Sequence, residues 1–327
     1  MSKADLEQQG QEQRAPGWQI KIGFVFFIDR RLLVFFLALL YSEAALAQQS
    51  TISGNYGSFS VTLLKAAIAP PPGTVVFENG SIFYNNRDFV DSDGNTIRTK
   101  TSNVFVNRTT IGYVVPDFKI LGADFYPAIF LLLQDQAIRP VPGSERELQF
   151  GDTIVQPAAL GWHAGGWHTL VSYNLWLPTG RFDAGSSNNT GKGLFSHMLT
   201  GGVTWLQDAP LPWASTLQLR YEFFNKQETT NIRPGQVMTI EAGAGKEVFK
   251  GLDLGISGAF SFQTTHESGS DPGTDTSRYR YAGVGPEIHW RPAFLPGAQV
   301  SGRSFFEFGA RNTSEGIGHL LSFSYAF

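Results

Sequence analysis

The residues that could do chemistry are few. The chain of 327 residues has six histidines and no cysteine. Thiol catalysis, disulfides and cysteine metal sites are therefore excluded. Hydrolysis of a lipid ester would need a serine beside a histidine and a third polar group to orient the ring. Two local pairs offer themselves, Ser196 with His197 and His319 near Ser322. Neighbours on an extended strand point to opposite faces, and residues three apart do too, so neither pair is well placed. His163 and His168 flank the Gly165-Gly166 turn and could both reach one metal ion. A third ligand is missing nearby, so solvated turn histidines are the expectation. The glycine-rich stretch Gly180–Gly193 lacks the strand–GxxxxGK[ST]–helix setting of a phosphate cradle. No catalytic residue, metal or cofactor is expected, and the protein reads as something other than an enzyme.

A second set of polar residues repeats every other position. Gln218, Arg220 and Glu222 share one face, and Glu241, Glu287 with His289, and Arg303 with Glu307 recur in the same way downstream. Mixed charges on a common interior wall can set a transverse field and tune what passes. They can equally pair across the interior and fill it. Tyr279, Tyr281, Phe305 and Trp176 could add aromatic surfaces for an apolar solute, or simply pack.

These residues need strands to position them. Leu217, Leu219, Tyr221 and Phe223 oppose Gln218, Arg220 and Glu222, a period of two. Leu254, Ile256, Phe260 and Phe262 oppose Asp253, Ser257, Ser261 and Gln263. About twelve such segments are expected, near 74–86, 100–115, 119–133, 152–163, 166–177, 193–206, 215–225, 236–248, 252–264, 277–290, 298–310 and 316–327. Long polar connections, such as Arg87–Arg98 and Gln134–Glu147, mostly alternate with short ones, such as Pro116–Phe118 and Ala164-Gly165. The final connection, Asn312–Glu315, is short where the alternation wants a long one.

Export is the next inference. Arg30-Arg31, an apolar run from Leu32 to Leu40 and an Ala45-Leu46-Ala47 site make a secretory signal peptide over residues 1–47, with a long n-region. An irregular periplasmic lead-in is expected over 48–73 and the barrel over 74–327. Charged residues are only 16% of the chain, while glycine numbers 36 and aromatics reach 13%. Strands of this length exceed those of soluble sheets, and aromatics at Tyr113, Trp162, Trp167, Trp205, Trp290 and Phe327 sit near strand ends, as an interfacial girdle requires. The fold class is all-β, a transmembrane antiparallel up-and-down barrel rather than a soluble sandwich. The net charge of −3 and the lack of basic patches exclude nucleic acid as a partner. Phe323, Tyr325 and the terminal Phe327 form an alternating aromatic end, similar to the signal read by the outer-membrane assembly machinery.

GDTIVQPAALGWH at 151–163, YNLWLPTGRFD at 173–183, APPPG at 69–73, KILGADF at 119–125 and YAGVGPEIHW at 281–290 occur in this order. Together they resemble the outer-membrane transporter family of the MetA pathway of phenol degradation. The resemblance spans essentially the whole exported chain, which departs from it in the long pre-signal extension. It implies a barrel in the bacterial outer membrane, with the lipid bilayer, the assembly machinery and a small hydrophobic solute as partners. The implied function is passive uptake of small hydrophobic, possibly aromatic, compounds through the lumen. The alternatives are a structural or adhesive barrel whose outer loops bind partners, and a lipid-modifying barrel enzyme.

Overall fold

The computed structural model describes residues 55, 57, 58, 60–138, 147–183, 189–227, 229–269 and 278–327. The signal peptide read at 1–47 lies outside them.

Alternating residues dictate strands, and the strands close on themselves. They are β1 (Val75–Val90), β2 (Thr96–Tyr113), β3 (Lys119–Ile120), β4 (Ala123–Phe125), β5 (Ala128–Ile138), β6 (Gln149–Phe150), β7 (Thr153–Ala164) and β8 (Trp167–Leu177). The second half gives β9 (Ser196–Leu206), β10 (Trp213–Phe224), β11 (Val237–Phe249), β12 (Leu252–Gln263), β13 (Arg280–Trp290), β14 (Ala298–Arg311) and β15 (Thr313–Ala326). All but β3, β4 and β6 are long, which makes a barrel of twelve antiparallel strands. The last strand pairs with the first, from Val76↔Ala326 to Val90↔Thr313. Such closure leaves no open edge, which lipid would not tolerate.

The outward face carries Phe83, Leu199, Leu217, Leu219, Ile256, Phe306, Phe308 and Leu321, all exposed. Tyr113, Trp162, Trp167, Trp205, Trp290 and Phe327 gather at the end where β7 turns into β8 and β11 into β12. They form one girdle. The β7–β8 turn is tight because Gly165 adopts φ +59°, a region that costs a side-chain-bearing residue.

Two sequence expectations need correction. The polar stretch from Arg87 to Arg98 is not a long loop. Pairing continues to Val90↔Thr96, and the turn is closed by Asp91, whose Oδ1 accepts the amides of Asp93, Gly94 and Asn95 at 2.8–2.9 Å. Those bonds hold its carboxyl below the usual carboxylate range. Polarity here marks where the hairpin leaves the apolar belt, not where the ladder ends. The third long strand starts at Ala128 rather than 119. The residues between are the small β3–β4 hairpin, Lys119↔Asp124 and Ile120↔Ala123.

One seam is thin. β5 meets β7 at three positions only, Ala128↔Gln156, Ile129↔Val155 and Phe130↔Ile154. β4 covers β7 on one side of them and β6 covers β5 on the other. Pro157, which has no amide hydrogen to give, falls where the β7 register shifts between Val155 and Ala158.

Candidate functional site: a charged wall, an internal strap and an apolar cavity

The segment before β1 was expected in the periplasm. Its described residues instead run through the lumen. The amide of Asn55 donates to Glu222 at 2.7 Å, near the long-loop end of β10. The amide of Gly73 donates to the carbonyl of Val114 at the opposite end. Leu63 and Ala67 between them are fully buried.

An irregular strap inside a barrel must have its amides and carbonyls satisfied by the wall. The alternating charged residues do this. Glu287 Oε1 accepts the amides of Leu63 and Leu64 at 2.8 and 2.7 Å. Its Oε2 takes the Ser257 hydroxyl at 2.9 Å. Arg303 Nη1 donates to the carbonyls of Ser58 and Val61 at 2.6 and 2.9 Å. Arg108 donates to the carbonyl of Ser60 at 2.9 Å. Lys65, the strap's own cation, bonds both oxygens of Asp253 at 2.8 and 2.9 Å.

Glycines provide the room. A Cβ on Gly245 or Gly255 would come within 2.8 Å of Leu64 Cδ1, and one on Gly161 within 2.5 Å of Ala69 Cβ. Gly243 lies under Leu63 in the same way. The strap's side chains therefore seat in notches cut by missing side chains on β7, β11 and β12.

All eight residues read as lumen-lining face the interior and are buried: Gln218, Arg220, Glu222, Glu241, Glu287, His289, Arg303 and Glu307. Most are tied together. Arg220 Nε reaches Glu241 at 2.7 Å and its Nη2 reaches Gln218. Arg303 lies 3.7 Å from Glu241 and 3.8 Å from Glu287, and His289 Nε2 is 2.9 Å from Glu287. Buried charges of this kind are tolerable only when paired. Glu307 stands apart. It accepts from the Tyr84 hydroxyl at 2.6 Å and the Gly316 amide at 2.9 Å, both on Oε2.

Another part of the wall is apolar, and of it the sequence reading named only Trp176. Val104 and Val106 of β2, Phe130 and Leu132 of β5, Ile154 of β7, Trp176 of β8 and Met198 of β9 line a cavity of about 590 Å³. Ile154, Trp176 and Met198 form one buried cluster, with Val61, Phe130 and Leu132 packed on it. Arg108, Arg220, Tyr84 and Glu307 close the cavity on the polar side. Of the aromatic candidates, Tyr279, Tyr281 and Trp176 line it. Phe305 does not: it is fully buried, with the Arg303 guanidinium 5.0 Å from its ring centre.

The hydrolytic candidates separate as the alternation required. Ser196 is buried and faces in, while His197 lies in an outward stack on Phe223 and bonds Tyr173 at 2.6 Å. Ser322 is buried, and His319 instead contacts Ser304 Oγ at 2.9 Å across the β14–β15 ladder. Among the described residues no carboxylate or amide bonds the other ring nitrogen of His319, which a hydrolytic triad would need. His163 and His168 meet, with Nδ1 atoms 2.7 Å apart. Asp124 approaches His163 from the opposite nitrogen at 3.6 Å, and no group of three ligands forms among the described residues. Phe323, Tyr325 and Phe327 lie on the outward face of β15 and beyond it, and Tyr325 and Phe327 pack edge to face.

Comparison with solved structures supports the barrel. The chain is similar to the COG4313 outer membrane channel from Pseudomonas putida F1, with a TM-score of 0.69, 12% identity, and coverage of 84% of this chain and 100% of that one. The β domain of the Bordetella autotransporter BrkA aligns with a TM-score of 0.45 at 9% identity, over 78% of this chain and 100% of that one. No curated protein matches in sequence. The family model described as "Putative MetA-pathway of phenol degradation" matches residues 86–323. With the barrel, its outward apolar belt and this match over most of its length, the chain belongs to that family of outer-membrane-type β-barrels.

Proposed function

We propose that the protein is an outer-membrane channel for passive uptake of small hydrophobic, aromatic-sized compounds. One observation carries this reading: a cavity of about 590 Å³ in the lumen that has the apolar cluster of Ile154, Trp176 and Met198 on one wall and polar residues on the rest. Its size falls within the range of small-molecule sites, and one stretch of its otherwise polar lining is an aliphatic and aromatic wall on which an apolar body could lie. A conduit for ions or sugars has no use for Phe130, Leu132, Ile154 and Met198 facing inward. The strap and the paired charges occupy part of the lumen, which fits selective passage of few solutes rather than general diffusion. The channel named among the similar solved structures lends the reading support at the level of fold.

In this reading the short-turn end faces the periplasm and the long-loop end faces outward. Residues 1–47 direct export, and Phe323, Tyr325 and Phe327 present the barrel to the assembly machinery. Growth on toluene or phenol as sole carbon source, with and without the gene, tests the physiological role. Uptake of radiolabelled toluene into proteoliposomes tests the activity directly. Equal rates in protein-containing and empty vesicles would overturn the proposal.

A further inference from the structure

We propose that Glu307, with Tyr84 beside it, is a polar anchor that makes the cavity select apolar molecules carrying a hydrogen-bond donor. The inference rests on the uptake reading and names the chemistry of its site.

The charges around the lumen are matched one to another. Arg108 pairs with Glu78, Arg220 with Glu241, Arg303 with Glu241 and Glu287, and Lys65 and Arg291 with Asp253. Glu307 lines the cavity, and the hydrogen bonds it receives from the described residues come from neutral donors, the Tyr84 hydroxyl and the Gly316 amide. Both fall on Oε2, while a carboxylate has about four acceptor sites over its two oxygens. Oε1 receives no hydrogen bond from the described residues, and it is not among the buried polar atoms left without one. An acceptor oxygen open to the cavity, on a wall otherwise shared with apolar side chains, is a group that a donor-bearing ligand can meet. The facing wall of Val106, Phe130 and Met198 takes the apolar body. A phenolic hydroxyl and a primary ammonium share this chemistry. A hydrocarbon and an ionised carboxylate both lack the donor.

Equilibrium binding of phenol, benzylamine, toluene and benzoate to the full-length, detergent-solubilised barrel tests the anchor, with quenching of Trp176 fluorescence as readout. A donor to a charged acceptor is worth roughly 10- to 100-fold in affinity. Phenol, benzylamine or both are expected to bind tighter than toluene and benzoate by at least about 10-fold. The Glu307→Gln variant should lose that margin and leave toluene unchanged. A margin for phenol alone identifies a neutral donor as the head group, and one for benzylamine alone identifies a cation. Equal affinity for all four compounds, or a margin that survives Glu307→Gln, overturns the anchor. Should Glu307→Gln not fold, Tyr84→Phe decides, because it removes one of the two donors on Oε2 and leaves the carboxyl group in place. Donor-bearing ligands should then bind tighter with toluene unaffected, and no change in either overturns the anchor. Failure of the anchor leaves toluene binding and uptake intact, whereas failure of the uptake reading removes toluene transport itself.

Discussion

Glu287→Gln is the most informative single change, because it keeps the shape of a fully buried side chain and removes only its charge. Two amides of the strap, Leu63 and Leu64, converge on one oxygen of this carboxylate. A hydrogen bond to a charged acceptor contributes about 1.5–3 kcal/mol, against about 0.5–1.5 for a neutral one. Losing that difference twice weakens the hold on the strap by about 2 kcal/mol, roughly a 30-fold rise in its detached population. Arg303 also loses a counter-charge 3.8 Å away, which adds to the effect. The chain has no cysteine, so Ala67→Cys gives a clean reporter. Ala67 is fully buried and its amide is 3.3 Å from Thr204 Oγ1. A thiol there should resist a water-soluble maleimide in the parent protein and react about 30-fold faster once Glu287 is Gln. Single-channel recordings should show longer conducting episodes. Labelling indistinguishable from the parent would mean that Glu287 does not hold the strap in place, and the argument from its two amide bonds would fall.

Gly245→Val should unseat Leu64, which approaches to 2.8 Å of where the new Cβ would be, and should raise Ala67→Cys labelling as overpacking costs about 1–3 kcal/mol. Leu63→Ala should lower the thermal midpoint of the solubilised barrel, since emptying a fully buried leucine site costs about 2–5 kcal/mol. Lys192, in the connection between β8 and β9, has its ammonium pulled down to about 8 by burial, against the opposing pull of Glu222 and Asp152. The folded chain then gives up this proton near pH 8, while the unfolded chain keeps it to about 10.4. Unfolded chain binds more protons in that window, so stability should climb from about pH 8 to 10 in urea titrations and be flat in this respect below it. Lys192→Met should remove that climb. Amide exchange should be fastest, among the long strands, at the three-pair seam of Ala128–Phe130 with Ile154–Gln156. Uniform protection around the barrel would contradict this.

Much of the architecture was legible because lipid enforces a strict period of two. In β10 and β12 the residues read as inward, Gln218, Arg220, Glu222, Asp253, Ser257, Ser261 and Gln263, all turn in, since apolar and charged residues there segregate cleanly. The same rule fails on β5. Ile129, Phe130, Leu131, Leu132 and Leu133 are apolar without interruption, so nothing in their order reveals that Phe130 and Leu132 face the lumen. Phe130 and Leu132 escaped the sequence reading for that reason. The strap was invisible for another. Its contacts to Arg303 span 242 and 245 residues, and no local pattern encodes a partner so distant. Ser304 beside His319 escaped notice likewise, because the sequence search for serine–histidine pairs looked only within a strand.

The strap also dictates a history. Residues made first end up enclosed by strands made last, for β15 seals against β1 around a filament that lies inside. A finished cylinder has no slot through which Leu63 and Leu64 could be slipped sideways onto Glu287. The thread either lies along the growing sheet while the wall is rolled shut or enters lengthwise through an open end. Contacts so distant form slowly, which makes closure of the last hairpin the step at which the newborn protein is most exposed to error.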